Sequence, residues 1–378
     1  MTGRTNVGTL EDLHASATKV VGLDDFGSDD YREALGVLLE SYQRDAGLTE
    51  LGSKMSRYFL RNALVARALS EASWKANPEY AETPVARPIF VTGLPRTGTT
   101  ALHRLLAADP QHQALEMWLA DFPQPRPPRE TWADNPIYQQ LDAGFAQHRI
   151  ENPEFMGVHY MTAAEVEECW QLLRQTVKSI AYESLAYLPT YSQWLQQQEW
   201  TDAYARHKAN LQLIGLGDTR RWVLKNPSHL FALDALMEVY PDALIIQTHR
   251  DPVTIVGSSC SLSEQATKGW STTFVGEKIG ATQLELWSRG LREFTSARKR
   301  YNPDQFLDIE FDELRADPFG TVEKIYSTFG LESTDTGRAA MRALDEDSKS
   351  GDRKPQHKYS LADYGLTEDR VRAEFEIA

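Results

Sequence analysis

Ile89-Phe90-Val91-Thr92-Gly93-Leu94-Pro95-Arg96-Thr97-Gly98-Thr99-Thr100 is the stretch on which the fold turns. A short apolar run rich in β-branched residues enters a Gly-Pro turn and gives way to a helical run from about Thr99 to Ala108. That is strand, loop, helix. Glycines let the backbone turn tightly and approach an anion. Amides at the helix start point at that anion, and the helix dipole favours its charge. Thr97, Thr99 and Thr100 add hydroxyls, and Arg96 adds a cation inside the loop. An ordinary glycine-containing turn is the plainer reading, but the flanks on both sides are those of an anion cradle.

Downstream, strand and helix signals alternate. Arg221-Trp222-Val223-Leu224 reads as a strand, followed by a helix from about Ser228 to Val239. Ala243-Leu244-Ile245-Ile246-Gln247-Thr248 is the clearest buried strand. Asp251-Pro252 then supplies an N-cap and a first-position proline for the next helix. Helices are expected at about 276–300 and 318–329, with strand Phe306–Ile309 between them. This alternation predicts an α/β fold with a mainly parallel sheet of P-loop type flanked by helices. A long helical region is expected over about 163–186, after a proline-rich loop at 122–130. Upstream, residues 1 to about 27 read as a loose lead-in. Helices are expected from Ser28 onward and over about 48–76, ending at Asn77-Pro78. The expected organisation is a helical N-terminal segment, 1–86, covering the core or a partner chain in a homo-oligomer, and a P-loop domain, 87–378.

Composition narrows the function. The chain has 378 residues and a formal charge of −14. A broad basic surface for nucleic acid is disfavoured, so any anion must be held by a few arginines and backbone amides within a negative field. Two cysteines, Cys169 and Cys260, make neither a disulfide framework nor a cysteine-rich zinc site, and the nine histidines show no metal-ligand spacing. There is no signal-like leader and no apolar run of membrane-spanning length, so a cytoplasmic, soluble protein is the default expectation.

The loop departs from the nucleotide-triphosphatase form G-x-x-x-x-G-K-[ST] in one place: Thr99 stands where lysine would reach the β- and γ-phosphates. A cation within the loop, Arg96, suits a shorter anion. A second cluster, Thr248-His249-Arg250-Asp251-Pro252, closes the buried strand, and Ser258 follows Arg250 by eight residues, roughly two helical turns on. One basic and one hydroxyl donor could converge there on a phosphate. The plainer alternative is a strand-end arginine and a helix serine bonded to its own backbone.

Taken together, the two clusters resemble the sulfotransferases that use 3′-phosphoadenosine 5′-phosphosulfate (PAPS). The texture is most similar to the bacterial branch, with its LPRTGTT, LKNPSHL and THRDP blocks and the HKYSLADYGL run near the end. The resemblance covers about residue 25 onward. It implies that Pro95, Arg96, Thr97, Gly98, Thr99 and Thr100 hold the 5′-phosphosulfate, and that Arg250 and Ser258 hold the 3′-phosphate. It implies a small-molecule hydroxyl acceptor and no metal. The cytosolic eukaryotic branch has lysine in the loop where this chain has Arg96, a planar fork rather than a point charge. Its C-terminal R-K-G loop has only a weak counterpart in Ser350-Gly351-Asp352-Arg353-Lys354, from which Arg353 is carried over.

Sulfuryl transfer needs a base for the acceptor hydroxyl, stabilisation of the leaving phosphate and in-line alignment. Glu116, beside Trp118, is the first candidate base, because partial burial would raise its affinity for a proton. His229 is the second. It stands in Leu224-Lys225-Asn226-Pro227-Ser228-His229, where the cytosolic branch has Lys-x-His. Lys225 resembles that family's lysine at the bridging oxygen, and His159 is a more distant candidate. Aromatics between the donor motifs favour an apolar or phenolic acceptor. The competing readings are a P-loop kinase or hydrolase and a non-catalytic nucleotide-binding protein.

Overall fold

The computed structural model describes residues 6–151, 161–350 and 359–376. Five strands form one sheet: β1 (Ile89–Gly93), β2 (His112–Ala114), β3 (Arg221–Lys225), β4 (Leu244–His249) and β5 (Phe306–Glu310), in the order β2-β3-β1-β4-β5. Every neighbouring pair is parallel. The expected P-loop-type parallel sheet is therefore present, with β1 in its centre. Phe90 is in register with Leu224 and Ile245, and Gly93 with Thr248.

Alternation along the strands divides the interior into two layers. Phe90, Trp222, Leu224 and Ile245 face the larger core, which also takes in residues of the N-terminal helices. Ile89, Val91, Val223 and Ile246 face a smaller one, with Leu102 and Leu106 from the helix after β1 and Ile325 and Tyr326 from the helix Pro318–Phe329. A strand buried on both faces reads as a continuous apolar run, which is why β1 and β4 were legible.

The helices ahead of the sheet are α1 (Leu10–Val21), α2 (Arg32–Arg44) and α3 (Glu50–Ala76). α1 corrects the expected loose lead-in. Thr9 and Asp12 form a reciprocal capping box there, and Leu13 and Ala17 are buried. β2 was not foreseen, because three residues are too short a run to carry a period. Another correction concerns 163–186. Among the described residues of that region, the only α-helix is Trp170–Leu173, followed by a 3₁₀ turn that ends at Val177 with φ +60°. Tertiary pairing overrides the apolar spacing: Glu167 N–H bonds Leu115 O at 2.7 Å and Met117 N–H bonds Glu165 O at 2.9 Å. The helix expected from Ser228 is likewise split, into a 3₁₀ turn Pro227–Phe231 and a helix Leu233–Val239.

The ends of β1 and β4 meet with no side chain between them. A Cβ on Gly93, whose φ is +141°, would lie 2.6 Å from both the carbonyl oxygen and the Oγ1 of Thr248. Gly93→Ala should therefore cost on the order of 1–3 kcal/mol of stability in urea unfolding. Gly36→Ala, in α2 with nothing within 4 Å of the new methyl, should stabilise by up to about 1 kcal/mol. Equal midpoints for the two variants would refute this account of the β1–β4 contact.

Candidate active site

The loop after β1 wraps toward α4 (Thr99–Ala107), entering it through Gly98 at φ +87°. Arg96, not a glycine, also takes positive φ, +67°. Such a conformation persists only where the surroundings hold it. They do so here: the Arg250 guanidinium donates to the Arg96 carbonyl at 3.0 Å. Thr97 Oγ1 donates to Leu94 O at 2.6 Å and lies 2.6 Å from Thr248 Oγ1. The Thr97 hydroxyl is thus spent inside the protein, and Thr99 is buried as well. Of the three threonines, Thr100 alone is exposed. The loop can offer backbone amides at Thr97 and Thr99, but not the side chain of Thr97.

Arg96 and Arg250 are brought together, one on the β1 loop and the other at the end of β4. Neither pairs with a carboxylate among the described residues. Arg250 lies over the Phe311 ring at 4.1 Å. Burial holds the affinity of Arg96 for its proton below the usual arginine level; Tyr359 opposes that effect and the charge of Arg250 adds to it. Ser258 is half-buried in the helix Pro252–Ala266, which Asp251 caps by accepting from Thr254 N–H at 3.3 Å. Pro95 is half-buried in the loop. Arg353 and His159 lie outside the described residues.

Lys225, 3% exposed at the end of β3, points toward this loop. Its Nζ donates to Thr100 Oγ1 at 3.1 Å and forms an ion pair with Glu168. The sequence reading did not single out Glu168. Residues 163–167 run antiparallel along 115–118, with a bridge between Glu116 and Val166, and Cys169 N–H bonds Lys225 O at 3.0 Å. This pairing delivers Glu168 to Lys225. Its only sequence signal was two adjacent acids, Glu167-Glu168, in a region whose spacing looked helical.

Glu116 and His229 are placed elsewhere. Glu116 is the N-cap residue of α5 (Met117–Asp121), and its carboxylate accepts from Arg126 Nε at 3.1 Å. Arg126, from the proline-rich loop, also donates to Gln113 Oε1 and Ala114 O and lies over the Trp222 ring. Burial raises the proton affinity of Glu116, as expected, but Arg126 opposes it. His229 has no exposed surface. It shares a 2.6 Å hydrogen bond with Tyr204 through Nδ1 and meets the edge of Phe90. Burial pushes its basicity well below that of an ordinary histidine. It packs in the core beneath the site, with no surface open to an acceptor.

The family model described as the sulfotransferase family matches residues 88–335. Two relatives, the omega-hydroxy-beta-dihydromenaquinone-9 sulfotransferases Stf3 of Mycobacterium bovis and Mycobacterium tuberculosis, are each 28% identical over 278 residues, 66% of this chain and 65% of theirs. The chain thus spans just under two thirds of the length of these curated relatives. The crystal structure of sulfotransferase STF1 from Mycobacterium tuberculosis superposes with a TM-score of 0.93 at 60% identity, covering 98% of this chain and 99% of that one. Sulfotransferase STF9 from Mycobacterium avium gives 0.88 at 26% identity, covering 100% and 96%.

Glu167, fully buried and accepting from Trp170 Nε1 at 3.1 Å, has its pKa pushed up to about 7, first by burial and then by the charge of Glu168. The folded chain keeps that proton in a window where the unfolded chain, titrating near 4.5, has lost it. The contribution to stability is whole below about pH 4.5 and is lost as pH rises through about 7. Glu167→Gln should therefore gain stability over the native chain at pH 8, on the order of 2 kcal/mol, and little at pH 4. Urea unfolding at the two pH values checks this, and an equal difference at both would refute it.

Proposed function

Because the chain belongs to the sulfotransferase family, we propose that it moves a sulfuryl group from PAPS to the hydroxyl of a small apolar or phenolic acceptor. The observation that carries this reading is the meeting of Arg96 and Arg250, without carboxylate partners among the described residues, at the mouth of a glycine loop in a chain of net charge −14. Two half-buried arginines that close to one another repel, and a polyanion between them removes the repulsion. The donor set fits PAPS: loop amides and Arg96 for the 5′-phosphosulfate, Arg250 and Ser258 for the 3′-phosphate. The Stf3 relatives are named for a hydroxylated dihydromenaquinone. A hydroxyl on an apolar body is the acceptor class that we carry over.

Glu168 takes the place first given to Glu116. It is beside Lys225, which reaches Thr100 at the start of α4, whereas Glu116 is held by Arg126 at the β2 edge. Glu168 accepts the acceptor's proton as its oxygen attacks sulfur in line. The sulfur–oxygen bond to the donor's phosphate breaks, and Lys225, Arg96 and the loop amides stabilise the charge that builds there. Lys225 serves two anions in turn. It is paired with Glu168 in the free protein; drawn toward the phosphosulfate, it leaves the carboxylate open to the acceptor hydroxyl.

Glu168→Gln keeps the shape but not the base, so single-turnover transfer should fall by roughly 10²–10⁴-fold while adenosine 3′,5′-bisphosphate still binds. Glu116→Gln should retain most of the transfer rate. The reverse pattern would return the role to Glu116. Arg250→Ala should lose roughly 10- to 100-fold of the preference for a 3′-phosphorylated nucleotide in calorimetric titration. A folded variant with undiminished preference would remove Arg250 from the 3′-phosphate site. Tighter binding of ATP with magnesium than of the bisphosphate by the native protein would overturn the donor assignment as a whole.

A further inference from the structure

Gly257 precedes Ser258 in the helix Pro252–Ala266 and leaves a hollow on that turn. A Cβ there would lie 2.8 Å from Cε2 and 3.0 Å from Cδ2 of Tyr359, and 3.4 Å from Leu361. The phenol ring occupies the space that the missing side chain would fill. Its hydroxyl donates to the Thr254 carbonyl at 3.4 Å, a long bond for O–H to O. Thr254 is one turn before Ser258, so the hydroxyl sits on the segment that presents Ser258. On its other side, Tyr359 is an electrostatic neighbour of Arg96.

The backbone that follows Tyr359 is fixed. Ser360 and Asp363 form a reciprocal cap on the next turn; Ser360 N–H donates to the Asp363 carboxylate at 3.0 Å, and Ser360 Oγ also accepts from Ala362 N–H at 3.2 Å. The Tyr364 hydroxyl donates to Glu264 at 2.9 Å, on the same helix as Ser258. The Tyr364 carbonyl packs so closely on Gly280 that a Cβ there would lie 2.0 Å from its oxygen. Farther on, Arg372 approaches Asp251, the cap of the Ser258 helix, to 3.6 Å. Tyr359 is thus a half-buried phenol in a set position beside the donor residues, and its hydroxyl is engaged only weakly.

We propose that Tyr359 is a donor-site residue: its ring, seated on Gly257, walls the nucleotide pocket, and its hydroxyl turns from Thr254 to the 3′-phosphate held by Arg250 and Ser258. The inference rests on the PAPS reading above. A hydroxyl in a long neutral bond gains by exchanging it for a short one to a phosphate oxygen, because hydrogen bonds to ionised acceptors are about twice as strong. No proton is transferred. Gly257 becomes a specificity position as well, since any side chain there displaces the ring.

Calorimetric titration of the full-length protein with adenosine 3′,5′-bisphosphate and with adenosine 5′-phosphate tests this. Tyr359→Phe should bind the bisphosphate roughly 10-fold more weakly and the monophosphate within about 2-fold of native. Its kcat at saturating PAPS should be unchanged while KM for PAPS rises, a split that loss of structure does not give. Gly257→Ala keeps the tyrosine but shifts its ring, and alanine is the better helix former. It should show the same selective loss. Native-like binding of the bisphosphate by both variants, or equal loss of both nucleotides, overturns the proposal. A native protein that does not prefer the bisphosphate overturns the PAPS reading first, and the role of Tyr359 with it.

Discussion

The close approach of β1 to β4 at Gly93 and Thr248 is the constraint from which the site follows. Two parallel strands must end side by side there with no side chain between them, so the residue on β1 has to be glycine. That contact sets Thr97 against Thr248 and puts Arg96 within reach of Arg250. The arginine in turn braces a backbone conformation that Arg96 would not hold alone. Loop shape and charge arrangement are therefore one feature. The groups that would bind two phosphates are also the groups that keep the loop in place.

Much of this was legible because it is local. A strand buried on both faces, a glycine turn and a helix start follow one another within a dozen residues, and each has its own sequence signature. The same is true of β4, Arg250 and the Asp251-Pro252 cap. The carboxylate at Lys225 was harder to find because nothing local specifies it. Glu168 reaches Lys225 only because residues 163–167 lie along 115–118, a pairing of two irregular segments with no period to detect. The partner of Glu116 was hidden for a related reason. Burial of Glu116 was foreseen correctly, but Arg126, from the proline-rich loop at 122–130, takes up the carboxylate. His229 sits in a block that reads as chemistry, while its side chain belongs to a layer of aromatic rings under the sheet.

The electrostatics are deliberate in their asymmetry. Most arginines of this acidic chain are matched to carboxylates, as Arg67 is to Asp30 and Arg206 to Glu71 in the buried contacts around α3. Arg96 and Arg250 are exceptions among the described residues. Half-buried cations left together cost free energy unless something else compensates, and here the compensation can come from a ligand. The negative surroundings leave that spot as an isolated attractive well, so small anions are favoured over an extended polyanion.

The central position of β1 has a kinetic side. Both of its partners come late in the chain: Thr92 bonds a residue 134 positions on, and Thr97 one 151 positions on. Until β3 and β4 have been synthesised, Ile89–Gly93 is an apolar strand with two open edges. Such long-range parallel pairing folds slowly, because loop-closure entropy is lost before contacts are gained. A growing chain would expose that strand through much of its synthesis and invite association with other chains. The loop after β1 cannot take its shape piecemeal, because the groups that brace it, Thr248 and Arg250, arrive only with β4.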